Sequence, residues 1–405
     1  MEEIPNSSDC GSQKHRSEAK VVVAFRDLSP NAFAMATTTI TATCACGTFN
    51  LKVELPDESL PIDCALCLCN SCRNVTGSCA SSRIAIPPSQ KIQTSDFDLT
   101  AHNTSYETTY YFCSTCGSHV LYKSAKQESW QLSTGILERT EGIVNWKGCK
   151  WVADTLDGGI SVWLKVIEGA AGVSRPLRRW MLGDTKDGDL VPHSSLKALP
   201  AKDHTQIPED RRLQAKCHCG GVKFYITRPN ESSKKVWSPH PDLMVPYHST
   251  ISAKNTANDP WWLQENDTKY LAGTCACTSC RLNLGAEIQT WAFIPKPNIF
   301  QDDGNPLGFS MGTLRTYASS EGVWREFCRV CGATVFWHCA ERPDVIDVSA
   351  GLFDREKGAR VEEWLSWWKG RVSFRELCVS HSLVDSLESG MRFEEESDSS
   401  GRRGE

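Results

Sequence analysis

Residues 64–72 read C-A-L-C-L-C-N-S-C, four sulfurs in nine residues: Cys64, Cys67, Cys69 and Cys72. Thiols at that density close a metal cage, pair as disulfides or leave a bystander, and each choice builds a different domain. The chain carries its own control, because the stretch returns at 272–280 as A-G-T-C-A-C-T-S-C. Cys67, Cys69 and Cys72 reappear as Cys275, Cys277 and Cys280, whereas Cys64 is replaced by Ala272. The trio C-x-C-x-x-C is therefore the repeated unit and Cys64 reads as the bystander. A cage closed by Cys64 stays open as an alternative for the first copy alone.

The repetition extends on both sides of the trio. T-C-A-C-G-T-F (43–49) recurs as K-C-H-C-G-G-V (216–222), and F-C-S-T-C-G-S (112–118) as F-C-R-V-C-G-A (327–333). S-T-G-I-L (133–137) is matched by S-A-G-L-F (349–353). Four elements in one order mean a duplicated domain. Cys79 and Cys339 have no cysteine opposite them (Glu287 and Ser124), and Cys10, Cys149 and Cys378 lie outside the shared motifs.

The repeat sets the expected boundaries. A first domain covers 37–167 and a second 213–384, joined by a linker at 168–212 rich in Gly, Pro, Ser and charge. The second copy carries an insertion at about 231–268, with S-S-K-K-V-W-S-P-H-P-D (232–242) and N-D-P-W-W (258–262). Residues 1–36 show no period and read as a disordered or dispensable extension. The charged, Ser-rich segment 385–405 reads as a disordered tail. Apolar–polar alternation in T-F-N-L-K-V-E-L (48–55) and T-T-Y-Y-F (108–112) predicts strands. Only E-E-W-L-S-W-W (362–368) offers a short helical face. The expected fold class is mainly β, two tandem zinc-bound β-domains.

Bulk properties narrow the function. At 405 residues the chain exceeds one ordinary core. The longest N-terminal apolar run, Val21 to Phe25, follows Glu2, Glu3 and Asp9, so neither a signal peptide nor a membrane span is predicted. A cytoplasmic or nuclear protein is expected. The net charge of −5 argues against a nucleic-acid binder that relies on phosphate contacts. Twenty cysteines in a reducing compartment point to metal or redox chemistry.

Seven cysteines are shared by both copies, and seven divides into four plus three. A structural zinc takes four protein ligands, and a catalytic zinc keeps three with one position open. Cys44, Cys46, Cys113 and Cys116 are assigned to a structural zinc, as are Cys217, Cys219, Cys328 and Cys331. Cys67, Cys69 and Cys72, and likewise Cys275, Cys277 and Cys280, would each hold an open, catalytic zinc. That makes two zinc ions per domain and four per chain. Three thiolates leave such a site at net −1, which suits a soft sulfur ligand better than water activation.

C-x-C-G, then C-x-C-x-x-C-R, then F-C-x-x-C-G, in this order, resembles the glutathione-dependent formaldehyde-activating enzyme and centromere protein V family over 37–165 and 213–380. The resemblance implies a β-tent fold and a carbon–sulfur lyase acting on a glutathione-like thiol and an aldehyde, formaldehyde. It also implies substrate contacts at Arg73, Thr76 and Gly77 of R-N-V-T-G (73–77). In R-L-N-L-G (281–285) the matching contacts are Arg281 and Gly285, with Leu284 in place of Thr. The Arg expected before F-C is Arg325 in the second copy and Tyr110 in the first. His102, His119, His218 and His338 lie near the motifs, but none is shared, so no general base is evident. A non-catalytic scaffold with Trp237, Trp261 and Trp262 as a contact surface is the competing reading, as is one working copy beside an inactive one.

Overall fold

The alternating segments become strands, and the duplicated motifs fall at the same places in two matching sets of sheets. The computed structural model describes residues 36–105, 108–125, 129–168, 173–183, 190–192, 212–239, 243–244, 255–354, 356 and 358–401. The N-terminal extension, most of the expected linker and the end of the tail lie outside these residues.

In the first copy β1 (Thr37–Thr43) pairs antiparallel with β2 (Asn50–Pro56), and β3 (Ile62–Cys67) leads into helix α1 (Asn70–Thr76). β4 (Arg83–Ala85), β5 (Leu99–Ser105), β6 (Thr108–Cys113), β7 (His119–Ser124) and β8 (Trp130–Ser133) form a sheet of order β4-β8-β7-β6-β5. β9 (Val144–Lys150) returns parallel to β3. Three short strands follow: β10 (Val166–Glu168), β11 (Ser174–Pro176) and β12 (Arg178–Arg179).

The second copy repeats this plan. β13 (Arg212–Lys216) and β14 (Lys223–Thr227) form the hairpin, β15 (Leu263–Gln264) and β16 (Lys269–Cys275) lead to α2 (Thr278–Leu284), and β17 (Gln289–Pro295) and β18 (Ile299–Gln301) follow. β19 (Leu314–Ser320), β20 (Val323–Cys328), β21 (Thr334–Cys339) and β22 (Arg342–Ser349) continue the sheet in the order β17-β22-β21-β20-β19. β23 (Leu365–Trp367) pairs parallel with β16, as β9 does with β3. The expected helical face at 362–368 is instead a turn at 362–364 running into β23, where Leu365 and Trp367 are buried on either side of half-buried Ser366. N-W-K-G (145–148) against W-W-K-G (367–370) is a fifth repeated element, and Trp151 and Phe374 after it both take left-handed backbone.

The two copies are one packed unit from Ala36 onward. α1 ends on the left-handed Gly77, whose O accepts from Gly351 N at 3.0 Å; Gly285 at the end of α2 accepts from Gly135 N at 3.3 Å. These contacts are mirror partners in the repeat, so the chain forms an internal two-fold pair. The expected linker is not loose where it is described. β12 pairs with β9, and Leu177, Arg179 and Trp180 are buried. The expected disordered tail is also corrected through Gly401: helix α3 (His381–Gly401) buries Leu383, Val384, Leu387 and Met391. Those residues have the spacing of a helical face, which overrides the polar composition beyond them. In the insertion, Trp261 and Trp262 are core, with Trp262 fully buried and its Nε1 donating to Ser233 O. Only Trp237 of the expected contact surface is exposed.

Glu287 is sealed where both copies meet α3, among Leu66, Ala80, Ile288, Leu383 and Leu387. It is 2 % exposed, its Oε1 has no partner, and burial pushes its carboxyl from 4.5 up to about 7. The raised value means the native state favours the neutral acid. Stability is therefore fully present below pH 4.5 and declines by about 3 kcal/mol as pH rises to 7. Glu287→Gln should match the parent at pH 4.5 and exceed it by up to that amount at pH 8. Urea unfolding at both pH values checks this, and an equal gain at both would remove the buried acid as cause.

Candidate metal centres

Each four-cysteine group is pinched between two strand pairs. Cys44 and Cys46 follow β1, Cys113 ends β6, and Cys116 precedes β7. Their sulfurs lie within 4.8 Å of one another, as do those of Cys217, Cys219, Cys328 and Cys331. Cys44–Cys46 and Cys46–Cys113 are 3.5 Å apart, and Cys217–Cys219 and Cys219–Cys328 repeat that spacing. A tetrahedron with Zn–S of 2.3 Å has edges of about 3.8 Å, so these cages fit zinc. Gly47, Gly117, Gly220 and Gly332 sit at φ of 80, 77, 72 and 76° as the knuckles behind the ligands, a backbone only glycine adopts cheaply. Backbone N–H groups of Phe49 and Val222 point at Cys44 and Cys217 sulfur, both at 3.3 Å.

The trios are built on strand-to-helix turns. Cys67 ends β3, Cys69 caps α1 by accepting from Cys72 N at 3.3 Å, and Cys72 lies in the first turn. Cys67 sulfur is 3.5 Å from Cys69 and 3.4 Å from Cys72. Cys275, Cys277 and Cys280 repeat the group around α2, with Cys277 as its cap. Cys69 and Cys277 are half-buried while their partners are buried, so each trio has one more open side. Cys64 stays out of the cluster. Its thiol donates to Arg83 O at 3.4 Å, and burial pushes it up to about 12.

Each trio has a nearby guanidinium, but from different strands. In the second copy both Nη atoms of Arg325 on β20 lie 3.6 Å from Cys280 sulfur. The matching Tyr110 places its hydroxyl 3.1 Å from Cys72 sulfur, and Arg83 on β4 donates to that hydroxyl at 3.2 Å. Burial opposes charge on both arginines, while Tyr110 and Cys72 for Arg83, and Cys280 for Arg325, more than offset it. The Tyr110 departure is thus made good by Arg83, opposite Trp291 in the repeat. Sequence reasoning missed Arg83, although R-I-A-I-P (83–87) against W-A-F-I-P (291–295) shows the exchange.

The residues expected to contact substrate make these contacts within the protein. Thr76 Oγ1 donates to Cys72 O at 2.8 Å, and Gly77 and Gly285 cap their helices against the other copy. Arg281 Nη1 donates across the interface to Gly135 O and Leu137 O at 2.5 and 2.8 Å. Arg73 is 1 % exposed and donates to Asn70 Oδ1 at 2.6 Å. Among the histidines, His119 is buried, bonded to Val75 O at 2.8 Å and pushed down to about 4 by burial. His338 pairs with Glu326 at 3.0 Å, and His102 with His218 at 3.0 Å.

A cleft of about 510 Å³ lies between the two copies, and none of the first trio's cysteines lines it. One wall is α1 with Asn70, Ser71 and Asn74, between and beyond Cys69 and Cys72; the other is the β13–β14 hairpin of the second copy. No described helix is long and apolar enough to cross a membrane. A family model described as glutathione-dependent formaldehyde-activating enzyme matches residues 39–151 and 264–369. Comparison with curated proteins and with solved structures gives no match.

Proposed function

The chain belongs to the glutathione-dependent formaldehyde-activating enzyme family, and from that premise we propose that it is a zinc-dependent carbon–sulfur lyase joining a glutathione-like thiol to formaldehyde. The observation that carries the reading is the pairing, in each copy, of a closed four-sulfur cage with a three-sulfur group whose middle cysteine is half-buried. A scaffold needs the first kind of centre; the second kind serves an incoming ligand. The fourteen shared cysteines would hold four zinc ions, in the reducing cytoplasm or nucleus. A zinc held by three thiolates supplies a Lewis acid that keeps a substrate thiol deprotonated near neutral pH.

The chain's residues do the rest. Arg83 through Tyr110, and Arg325 directly, balance the negative trios and keep the thiolates in place. The substrate sulfur adds its electron pair to the formaldehyde carbon and forms the C–S bond. The carbonyl π pair moves to oxygen, which takes a proton from water, and the thiol proton leaves to water. No side-chain base is required, in keeping with the structural roles of His119 and His338.

Cys69→Ser combined with Cys277→Ser should lower bound zinc from four to two per chain and reduce hydroxymethyl-thiol formation at least a hundredfold. Far-UV circular dichroism should stay at the parent spectrum. Metal analysis and proton NMR of the adduct read the outcome, and turnover surviving in the double variant would sink the lyase reading.

A further inference from the structure

The two copies differ in what holds the helix behind each three-cysteine centre. In the first copy His119, shortly after the cage ligand Cys116, bonds through Nε2 to Val75 O of α1 at 2.8 Å. That cage turn therefore grips the helix of its own copy. The repeat puts Thr334 opposite His119 and Asn283 opposite Val75. Thr334 is 2 % exposed and its Oγ1 has no hydrogen-bond partner, so this side chain makes no such bond with α2. The grip on α2 comes from the first copy instead. Asn283 Nδ2 donates to the backbone O of Cys116, a ligand of the first cage. Gly285, at the end of α2, lies so close to the same turn that a Cβ on it would stand 2.1 Å from His119 O. Arg281 adds its two bonds to Gly135 O and Leu137 O. All three residues follow Cys280 closely in the chain. Buried donors hold their acceptors firmly, because a buried group left unpaired bears its full desolvation penalty.

We propose that the first copy's four-cysteine cage positions the second copy's three-cysteine centre, with Asn283 as the positioning residue that joins them. The cage fixes the turn from Cys116 to His119, and the turn fixes the later half of α2. The helix in turn sets Cys277, its cap, and Cys280, in its first turn, against Cys275 at the end of β16. Arg325 beside Cys280 needs no such support, because β20 is held by pairing with β19 and β21. The first centre does not depend on one cage in this way. Its helix α1 has the His119 bond from its own copy and a second tie across the seam, His218 N donating to Asn74 O at 3.0 Å. The second copy's centre is therefore complete only beside a loaded first cage, which gives the duplication a reason to stay in one chain. The inference concerns metal binding and stands apart from the lyase reading.

Zinc release from the full-length chain to excess 4-(2-pyridylazo)resorcinol reads the second centre alone once Cys69→Ser has emptied the first. Its phase is the one that adding Cys277→Ser removes. In the Cys69→Ser background, Cys46→His loosens the first cage and Cys219→His the second, each keeping four zinc ligands. Cys46→His should speed release from the second centre at least about five times more than Cys219→His does, the lower end of the range for coupled sites. Asn283→Ala keeps every cysteine and should speed the same release at least about fivefold. Release from the first centre, read with Cys277→Ser in place of Cys69→Ser, should stay at the parent rate in Asn283→Ala. With cobalt in place of zinc, the sulfur-to-metal charge-transfer band of the second centre should shift in Asn283→Ala, which a general loss of stability would not produce. Equal effects of the two cage variants, or a larger one from Cys219→His, overturn the proposal. Should Cys46→His not fold, Asn283→Ala decides alone. Release at the parent rate from the second centre, or equal acceleration at both centres, overturns the proposal there.

Discussion

Stripping metal from the four-cysteine cages is expected to unfold the protein, whereas emptying the trios is not. Cys44, Cys46, Cys113 and Cys116 tie the β1–β2 hairpin to the β6–β7 turn, and the second copy repeats the tie. Without metal, buried sulfurs 3.5 Å apart hold nothing together. A four-thiolate zinc contributes roughly 10–16 kcal/mol to folding in small domains, comparable with the whole stability of roughly 5–15 kcal/mol usual for a folded protein. Cys116→Ser or Cys331→Ser should therefore lower Tm by more than 15 °C, or give no folded protein. A strong chelator should produce a cooperative loss of β signal in far-UV circular dichroism. Cys69→Ser should shift Tm by only a few degrees, because Cys67 and Cys72 remain packed on β3 and α1. Tm unmoved after the cage metal is removed would make the cages accessory to the fold.

The cysteine groups were legible because thiols at ligand spacing are a local code and each copy served as a control for the other. The repeat separated Cys67, Cys69 and Cys72 from Cys64, whose thiol bonds to Arg83 O and lies outside the cluster. The strands were legible from alternation. What the sequence hid is non-local. Arg281 and Gly285 have the motif position of substrate contacts, yet their partners, Gly135 and Leu137, are far away in the chain. Arg83 was missed because a compensating charge can come from any strand that reaches the trio. The α3 helix was missed because the run after Glu388 is polar, although Leu383, Val384, Leu387 and Met391 already form a stripe.

Gly77→Ala and Gly285→Ala should be severely damaging at the seam between the two copies. A Cβ on Gly77 would lie 2.1 Å from Thr334 O, and one on Gly285 would lie 2.1 Å from His119 O. Both obstacles are backbone atoms that cannot rotate away, and both glycines hold left-handed backbone, at φ of 91 and 79°. Gly142 isolates the two effects, because its φ is 75° but nothing lies within 4 Å of its Cβ position. Gly142→Ala should cost about 1 kcal/mol from backbone strain alone. Gly77→Ala and Gly285→Ala should each cost about 3–5 kcal/mol, since the copies must separate to admit a methyl group. Guanidinium unfolding of the three variants measures the difference, and equal costs would mean that the copies do not meet at these helix ends. The consequence reaches the site. Gly77 ends the helix that Cys69 caps and Cys72 occupies. Where Gly77→Ala still folds, hydroxymethyl-thiol formation should fall with metal content unchanged, a pattern that Gly142→Ala should not show.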